Sequence, residues 1–339
     1  MRKYLSSLQT RLLLIGALLV MAFLAMSMTA QAASFSGSGS GTPADPYIIT
    51  TPEQLNEIWN NLGAHYKLGA HIDLSGYMNW TPIGNDAIPF TGSLDGDSYT
   101  ITGLYIDRAM TTYAGLFGYI DGADLKDLAL ENAFVSGYDN VGGLVGYMLD
   151  GSVSNCSFNG SVRGDSGAGG LIGSNYNGTV SNCRTAGGVS GRVTVGGLAG
   201  ANYGSIENCH ARMTVEGSGF EIGGLVGYNG TASASVSGCS ATGSVRGKTA
   251  GGLIGMNYGI VSNSFSRGAV TLVDYDSSDG GNAGGLIGYN YGVSVSGCYS
   301  LSSVASEDSD GADINLGGLI GYNSNGNVSD CYATGSVSA

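Results

Sequence analysis

A tetrapeptide that recurs eight times constrains the fold of this chain more than any other feature. The tetrapeptide is Gly-Leu-x-Gly, and its leucines are Leu116, Leu144, Leu171, Leu198, Leu225, Leu253, Leu286 and Leu319. Successive leucines stand 28, 27, 27, 27, 28, 33 and 33 residues apart. Self-similarity at such a period is typical of a solenoid, because one unit cannot bury its apolar side chains until its neighbours stack on it.

The composition of the unit indicates strands rather than helices. Glycine accounts for 60 of the 339 residues, and each unit breaks into short β-branched pieces separated by Gly, Asn and Ser. All five prolines precede residue 90, outside the repeats, where they do not interrupt the pairing of repeat strands. The pattern predicts an all-β fold, namely a right-handed parallel β-solenoid of about eight rungs with about three short strands in each.

Two further positions recur in register with the leucine. Four residues after it stand Asn175, Asn202, Asn229, Asn257, Asn290 and Asn323. Eleven to fourteen residues after it stand all the cysteines, Cys156, Cys183, Cys209, Cys239, Cys298 and Cys331, with Ser264 in the remaining unit. Because stacked rungs bring identical residues together, we interpret the asparagines as an amide ladder and the cysteines as a buried ladder of free thiols. Tyrosines flank the asparagine, and they either pack between rungs or form a stripe that stacks on sugars or partner side chains.

The first 110 residues differ from the repeats. Residues 1–32 combine three basic residues, a short apolar run and a small-residue site before residue 33, which predicts a cleaved secretory signal. Residues 33–110 are expected to form a cap and the first strands, and 111–339 the repeat solenoid. Within the cap, Thr51 is a predicted N-cap for a short amphipathic helix that ends near Gly63 and covers the open end of the solenoid. No segment after the signal is apolar enough to predict a membrane span.

The repeat resembles a known family. Gly-Gly-Leu-Val-Gly at 142–146 resembles the GLUG repeat of secreted and surface-attached bacterial proteins. Asp-Pro-Tyr-Ile-Ile at 45–49 and Trp-Thr-Pro-Ile-Gly at 80–84 look like the opening that commonly precedes such repeats. The resemblance covers about residues 40–339. It implies a β-helical surface module, of the kind that accompanies the catalytic domain of immunoglobulin A peptidases, and it carries over no catalytic residue.

Motifs that would indicate catalysis are missing from the sequence. A zinc peptidase of that kind needs His-Glu-x-x-His, and none of His65, His71 and His210 is followed by Glu. We therefore expect no catalytic residue and no cofactor other than the calcium discussed below. Two alternatives stay open: an extracellular polysaccharide-active enzyme, either a lyase or a hydrolase, and a binding module for a host protein or glycan. A dense row of carboxylates on one sheet would favour the enzyme, whereas a broad exposed aromatic or loop patch would favour the binding module.

The two longest spacings carry acidic insertions at the same corner. Their carboxylates are Asp274, Asp276 and Asp279 in one rung and Glu307, Asp308, Asp310 and Asp313 in the next. Two interpretations stay open. The insertions form a solvated acidic loop pair, or the six aspartates form a calcium site, since Ca²⁺ accepts six to eight oxygen ligands in flexible geometry. No complete calcium-loop motif is present.

Charge and pattern together define the function that we expect. The formal net charge of −13 argues against nucleic acid or an anionic membrane surface as the partner. The sequence predicts a secreted or bacterial cell-surface repeat protein that acts, without catalysis, as a rigid scaffold or adhesive stalk for an extracellular protein or glycan. Because the last rung has no visible cap, we also expect self-association through a C-terminal strand edge.

Overall fold

The computed structural model describes residues 35–273, 280–307 and 313–339. Within these residues the chain winds into a parallel β-solenoid, as the repeat predicts. A rung is the stretch from one repeat leucine to the next. The expectation of three strands per rung is wrong, because the strands of the repeats fall into four parallel sheets, numbered I to IV here in the order in which the chain passes through them.

The strand bounds follow sheet by sheet among the described residues. Sheet I contains Asp139–Gly142, Ser166–Gly169, Val193–Gly196, Ile222–Gly223, Thr249–Gly251, Asn282–Gly284 and Asn315–Gly317. Sheet II contains Phe117–Asp121, Val145–Leu149, Ile172–Tyr176, Ala199–Asn202, Val226–Asn229, Ile254–Asn257, Ile287–Asn290 and Ile320–Asn323.

Sheets III and IV begin before the repeats. Sheet III contains Tyr47–Ile49, His65–Leu68, Ser93–Asp95, Asp124–Lys126, Ser152–Ser154, Thr179–Ser181, Ser205–Glu207, Ser235–Ser237, Ile260–Ser262, Ser294–Ser296 and Asn327–Ser329. Sheet IV contains Ile72–Asp73, Thr100–Thr102, Tyr105–Asp107, Ala129–Ser136, Ser157–Arg163, Arg184–Gly191, His210–Gly217, Ser240–Ala241, Val245–Gly247, Phe265–Ser266, Ala269–Leu272, Tyr299–Ser300, Ser303–Ser306, Tyr332–Ala333 and Val337–Ser338.

Paired glycines create the corner that separates sheets I and II. Gly169 ends a strand of sheet I, and Ile172 begins the next strand in sheet II. A Cβ atom added to Gly169 would lie 1.9 Å from the carbonyl oxygen of Ile172, which is closer than a side chain tolerates. The same contact of Gly196 with the carbonyl oxygen of Ala199 measures 1.9 Å. The repeat period alone does not separate these two strands, because a corner made by glycines has no side-chain pattern in the sequence.

Apolar residues stack in columns inside the coil. One column runs along sheet III through Val153, Val180, Ile206, Val236, Val261 and Val295, all fully buried. The repeat leucines from Leu116 to Leu286 are also fully buried. Each buried side chain of this size contributes roughly 1.5–3 kcal/mol relative to its exposed state. The core is therefore distributed evenly along the coil, as expected of stacked repeats.

The predicted helix lies between the first two strands of sheet III. It comprises an α-helical segment, Pro52–Asn56, followed by a 3₁₀ segment, Glu57–Asn60. Thr51 is its N-cap, as predicted, and its hydroxyl accepts a hydrogen bond from the Gln54 backbone N–H at 3.3 Å. Leu55 and Ile58 are fully buried on its inner face.

The end of this helix differs from the prediction. It stops at Asn60 rather than near Gly63, because Asn61 leaves the helical region with φ −153° and ψ 83°. The Gln54 side chain also departs from a capping box, since its Oε1 accepts from the backbone N–H of Thr50 at 2.7 Å instead of that of Thr51. No helix among the described residues is long and apolar enough to cross a membrane.

Candidate functional site

The asparagine ladder forms as the repeat predicts. The Nδ2 of Asn175 donates to the Oδ1 of Asn202 at 2.8 Å, and the same bond continues through Asn229, Asn257, Asn290 and Asn323 at 2.7 to 2.8 Å. Asn175 through Asn290 are fully buried. The amides also bind their own corners, as where Asn175 Oδ1 accepts from the backbone N–H of Gly178 at 3.0 Å. Each rung in this row is thus joined to the next by an amide hydrogen bond, and the bonds from Asn175 to Asn290 are buried.

The cysteine slot forms a second internal ladder. All six cysteines lie among the described residues and are free, as predicted. The Cys183 backbone N–H donates to Cys209 Sγ at 3.3 Å, while the Cys183 thiol donates to the Ser181 carbonyl at 3.2 Å. Ser264 makes the same two bonds, because its hydroxyl accepts from the Cys239 N–H at 3.0 Å and donates to a carbonyl at 2.7 Å. The slot selects a small side chain that both donates and accepts, which explains why serine replaces cysteine there.

Burial and contact within the ladder make Cys209 and Cys298 poor nucleophiles. Burial raises the pKa of the Cys298 thiol to about 11. Contact with the Cys183 thiol, together with burial, raises the pKa of Cys209 well above its ordinary value. Because the thiolate is the nucleophile and the metal ligand, protonated buried thiols are poor candidates for catalysis or metal binding.

Tyrosines form an outer stripe beside the asparagine ladder. Rings of Tyr176, Tyr203, Tyr228, Tyr258 and Tyr291 follow one another with centroids 5.3 to 5.9 Å apart. Such spacings are those of attractive aromatic pairs, so the stripe packs rung against rung. The side chains of Tyr176 and Tyr291 nevertheless remain 43% and 50% exposed, which leaves the stripe accessible at both ends.

A group of cations on the outer face of sheet IV was missed by sequence reasoning. Along His210–Gly217, Ala211, Met213 and Val215 are buried, whereas Arg212 and its alternate neighbours point outward. Arg184 pairs in register with His210, and Arg212 with Ala186. The signal was present in the repeat, since the residues one and three positions after the cysteine slot are the ones that face outward.

The outward residues surround a shallow depression of about 250 Å³ in the central rungs. Its lining includes Ala186, the cations Arg184 and Arg212, and His210. It also includes Glu131, whose carboxylate accepts a hydrogen bond from Asn159 Nδ2 at 2.9 Å. The Nδ1 of His210 lies 2.8 Å from the Ser240 hydroxyl, which fixes the ring orientation. A second depression beside it is lined by Arg212, Thr242, Gly243, Arg267 and Gly268.

Aromatic residues continue the same outer column toward the C-terminus. His210 is in register with Ser240, Ser240 with Phe265, and Phe265 with Tyr299. The rings of Phe265, Tyr299 and Tyr332 stack almost parallel at 4.9 and 5.2 Å. The column therefore changes along the solenoid axis from polar and cationic to aromatic.

The proposed calcium ligands fall largely outside the described residues, as Asp274, Asp276, Asp279, Asp308 and Asp310 all do. Of the six, only Asp313 is described, and the described residues bring together no group of three His, Cys, Asp or Glu side chains able to hold a metal. Glu307, which adjoins them in sequence, pairs instead with the guanidinium of Arg246 through two bonds of 2.5 Å. This pairing holds the pKa of the Glu307 carboxyl below its ordinary value. The calcium site stays a prediction.

Comparison with known families identifies the repeat. The family model described as the GLUG motif matches residues 137–163, 191–216, 218–246 and 312–338. Each match spans one Gly-Leu-x-Gly tetrapeptide and the cysteine slot that follows it. The resemblance noted from the sequence is confirmed, and the chain carries GLUG repeats.

Two curated proteins share part of this sequence. A candidate Gly-rich membrane protein of Evansella cellulosilytica is 36% identical over 115 residues, which cover 32% of this chain and 13% of that protein. Halomucin of Haloquadratum walsbyi is 40% identical over 140 residues, which cover 37% of this chain and 2% of that protein. The chain therefore matches only a small part of the length of either relative.

Two solved structures share the fold. A candidate immunoglobulin A1 protease from Bacteroides ovatus superposes with a TM-score of 0.56 at 22% identity, covering 89% of this chain and 86% of that one. A structure described as an IgA1 protease gives a TM-score of 0.54 at 16% identity, covering 85% of this chain and 21% of that one. At these identities the likeness concerns the fold alone.

Proposed function

We propose that this chain, a β-solenoid of GLUG repeats, is a rigid, non-enzymatic scaffold or stalk on the outside of a bacterial cell. The observation that carries the proposal is the amide ladder, in which five consecutive bonds, four of them buried, join six rungs. Together with four sheets that run along the axis, the ladder resists shear of one rung past another. Rigidity in one direction is what a stalk requires.

The outer face of sheet IV supports a non-catalytic role. Between Ala129 and Leu272 the described carboxylates on this face are Glu131 and Glu216. They stand three rungs apart, which is roughly 14 Å along the axis at about 4.8 Å per rung, and they lie in different columns of the sheet. Paired carboxylates that cleave glycosidic bonds lie about 5–9.5 Å apart. This separation favours binding over hydrolysis on this face.

The names of the relatives support an external location. One is named as a membrane protein and the other as halomucin, while the solved neighbours are described as immunoglobulin A1 proteases. The sequence contributes the predicted secretory signal in residues 1–32. The location is tested by producing the full chain in a bacterial host and adding protease or antibody to intact cells. Labelling of intact cells, or recovery from the medium, is expected; a chain that stays inside and protected would overturn the proposal.

The stalk architecture is tested by removing one rung. Deletion of 172–198 joins Leu171 to Ala199 in register, so the ladders should close again. We expect a cooperative melt and a solenoid shorter by roughly 4.8 Å in X-ray scattering. The matched control removes 172–184, which shifts every later side chain out of register and should prevent cooperative folding. Failure of the in-register variant to fold, or equal behaviour of both variants, would contradict a modular rod.

A further inference from the structure

We propose that the outer face of sheet IV in the central rungs binds an extended anionic polysaccharide, one that carries carboxylate or sulfate groups. The face is defined by Arg184, His210, Arg212 and Arg267 with the two depressions between them. This inference rests on the proposed function only in requiring that the face be exposed outside the cell.

The central rungs differ in charge from the rest of the protein. Residues 141–255 contain six Lys and Arg and five Asp and Glu, a net charge of 6 − 5 = +1, whereas the whole chain carries −13. At about 0.15 M salt the Debye length is about 8 Å, so acidic residues several rungs away are largely screened. An anionic ligand at this face is therefore governed by the local cations rather than by the net charge, which argued against nucleic acid and anionic membranes.

The guanidinium groups on this face are available. The ion pairs among the described residues involve Lys67, Lys126, Arg192 and Arg246, and none involves Arg184, Arg212 or Arg267. These three side chains are exposed. A guanidinium presents a planar fork of donors that matches carboxylate and sulfate oxygens, so each of them offers a bidentate anion contact.

The arrangement suits a polymer better than a small anion. Arg184 and Arg212 lie on adjacent strands. Thr242 and Arg267 follow Arg212 in the same column, which puts Arg267 two rungs beyond Arg212, roughly 10 Å away. Cations thus recur along the axis while the depressions stay open to solvent. Thr242 offers its hydroxyl to sugar hydroxyls, and Asn159 offers its amide oxygen, since its Nδ2 donates to the Glu131 carboxylate at 2.9 Å.

The backbone of this face disfavours a peptide ligand. Each central strand of sheet IV is hydrogen-bonded on both sides, as Arg184–Gly191 is to Ser157–Arg163 and His210–Gly217. A peptide cannot add to such a sheet as an extra strand, so recognition depends on side chains alone. Side chains that present cations, hydroxyls and amides complement an acidic sugar chain.

The experiment measures binding of purified full-length protein to immobilised polymers at about 0.15 M salt. The probes are polygalacturonate, dextran sulfate, neutral dextran, poly-L-glutamate and single-stranded DNA. The test variant is Arg184→Gln, Arg212→Gln, Arg267→Gln. The matched control is Lys67→Gln, Lys126→Gln, Arg192→Gln, which removes the same charge from ion-paired cations elsewhere on the protein. Thermal melts of both variants establish that each is folded.

We expect binding of at least one acidic polysaccharide and none of neutral dextran. The test variant should bind at least about tenfold more weakly than wild type, and the control within about twofold. Absence of binding to both acidic polysaccharides would overturn the inference, as would equal losses in the two variants or equal affinity for poly-L-glutamate or DNA. None of these outcomes alters the surface-labelling and rung-deletion results, so failure here is distinguishable from failure of the proposed stalk.

Discussion

Replacing Asn229 with alanine tests the amide ladder at its centre. Asn229 is fully buried, donates to Asn257 Oδ1 at 2.8 Å and accepts from Asn202 Nδ2 at 2.8 Å. The substitution removes both bonds and leaves a cavity. The neighbours keep some partners, since Asn202 Nδ2 also reaches the Gly204 carbonyl at 3.2 Å and Asn257 Oδ1 the Gly259 N–H at 3.2 Å.

The expected loss follows from these contacts. Two lost hydrogen bonds cost about 1 kcal/mol each, and the cavity together with weakened neighbours adds up to about 2 kcal/mol. We therefore expect the free energy of unfolding to fall by about 2–4 kcal/mol in urea titrations followed by far-ultraviolet circular dichroism. Asn159→Ala is the matched control, because Asn159 is exposed and its amide donates to the Glu131 carboxylate at 2.9 Å near the surface. Its loss should stay below about 0.5 kcal/mol.

An aspartate at the same position makes the stability of the protein depend on pH. In Asn229→Asp, burial raises the pKa of the new carboxyl above the ordinary value of about 3.9. The stability of the protonated form is fully present below about pH 4 and is lost as pH rises through the raised folded-state pKa. We expect the variant, measured against wild type at each pH, to be more stable at pH 4 than at pH 7. Equal costs for Asn159→Ala and Asn229→Ala, or a pH-independent aspartate variant, would refute the ladder as a source of stability.

Three further predictions concern the thiols, a glycine pair and the acidic insertions. Because the raised pKa of Cys298 favours its protonated thiol, the stability from this group is present below the unfolded-state pKa of about 8.5 and is lost as pH rises through about 11. Alkaline titration by circular dichroism should show this loss, and thiol counting without reductant should find six thiols after denaturation and few before it; fewer than six would indicate bridges. Gly187 has φ +117°, and an added Cβ would lie 2.0 Å from a carbonyl oxygen, so Gly187→Ala should lower the free energy of unfolding by about 3 kcal/mol or more. The nearest contact of an added Cβ at Gly188 would be at 3.9 Å, so Gly188→Ala should lower it by less than about 0.5 kcal/mol. Similar urea midpoints for the two variants would be inconsistent with this geometry. If the acidic insertions hold calcium, millimolar Ca²⁺ should raise the melting temperature of wild type but not that of the variant Asp276→Asn, Asp310→Asn. Identical melting temperatures would favour the interpretation of the insertions as a solvated acidic loop pair.

The repeat made most of the fold predictable from the sequence. Once a period near 27 places one rung on the next, the contacts of Asn175 with Asn202 and of Cys183 with Cys209 follow without further information. The same logic fails within a rung, where the chain path depends on backbone geometry. The corner at Gly169 is set by the absence of a side chain, so the fourth strand could not be read from side-chain periodicity.

The outer surface was harder to predict for a related reason. Inward positions repeat because they share one environment, whereas outward positions such as Arg184, His210 and Phe265 vary from rung to rung. A search for recurring residues therefore identifies the core positions and misses the outer face, where the residues differ between rungs. Aligning the rungs on the cysteine slot and reading the residues one and three positions later would have exposed the cations.

The amide ladder also has a sense of direction. In each of its five bonds the Nδ2 group donates toward the C-terminal rung, from Asn175 to Asn323. A second copy related by a two-fold axis at that end would bring Nδ2 against Nδ2, donor facing donor. A continuation in the same orientation offers an oxygen instead. The ladder is therefore polar, because a rung stacked in the same orientation continues its bonds and a reversed rung does not.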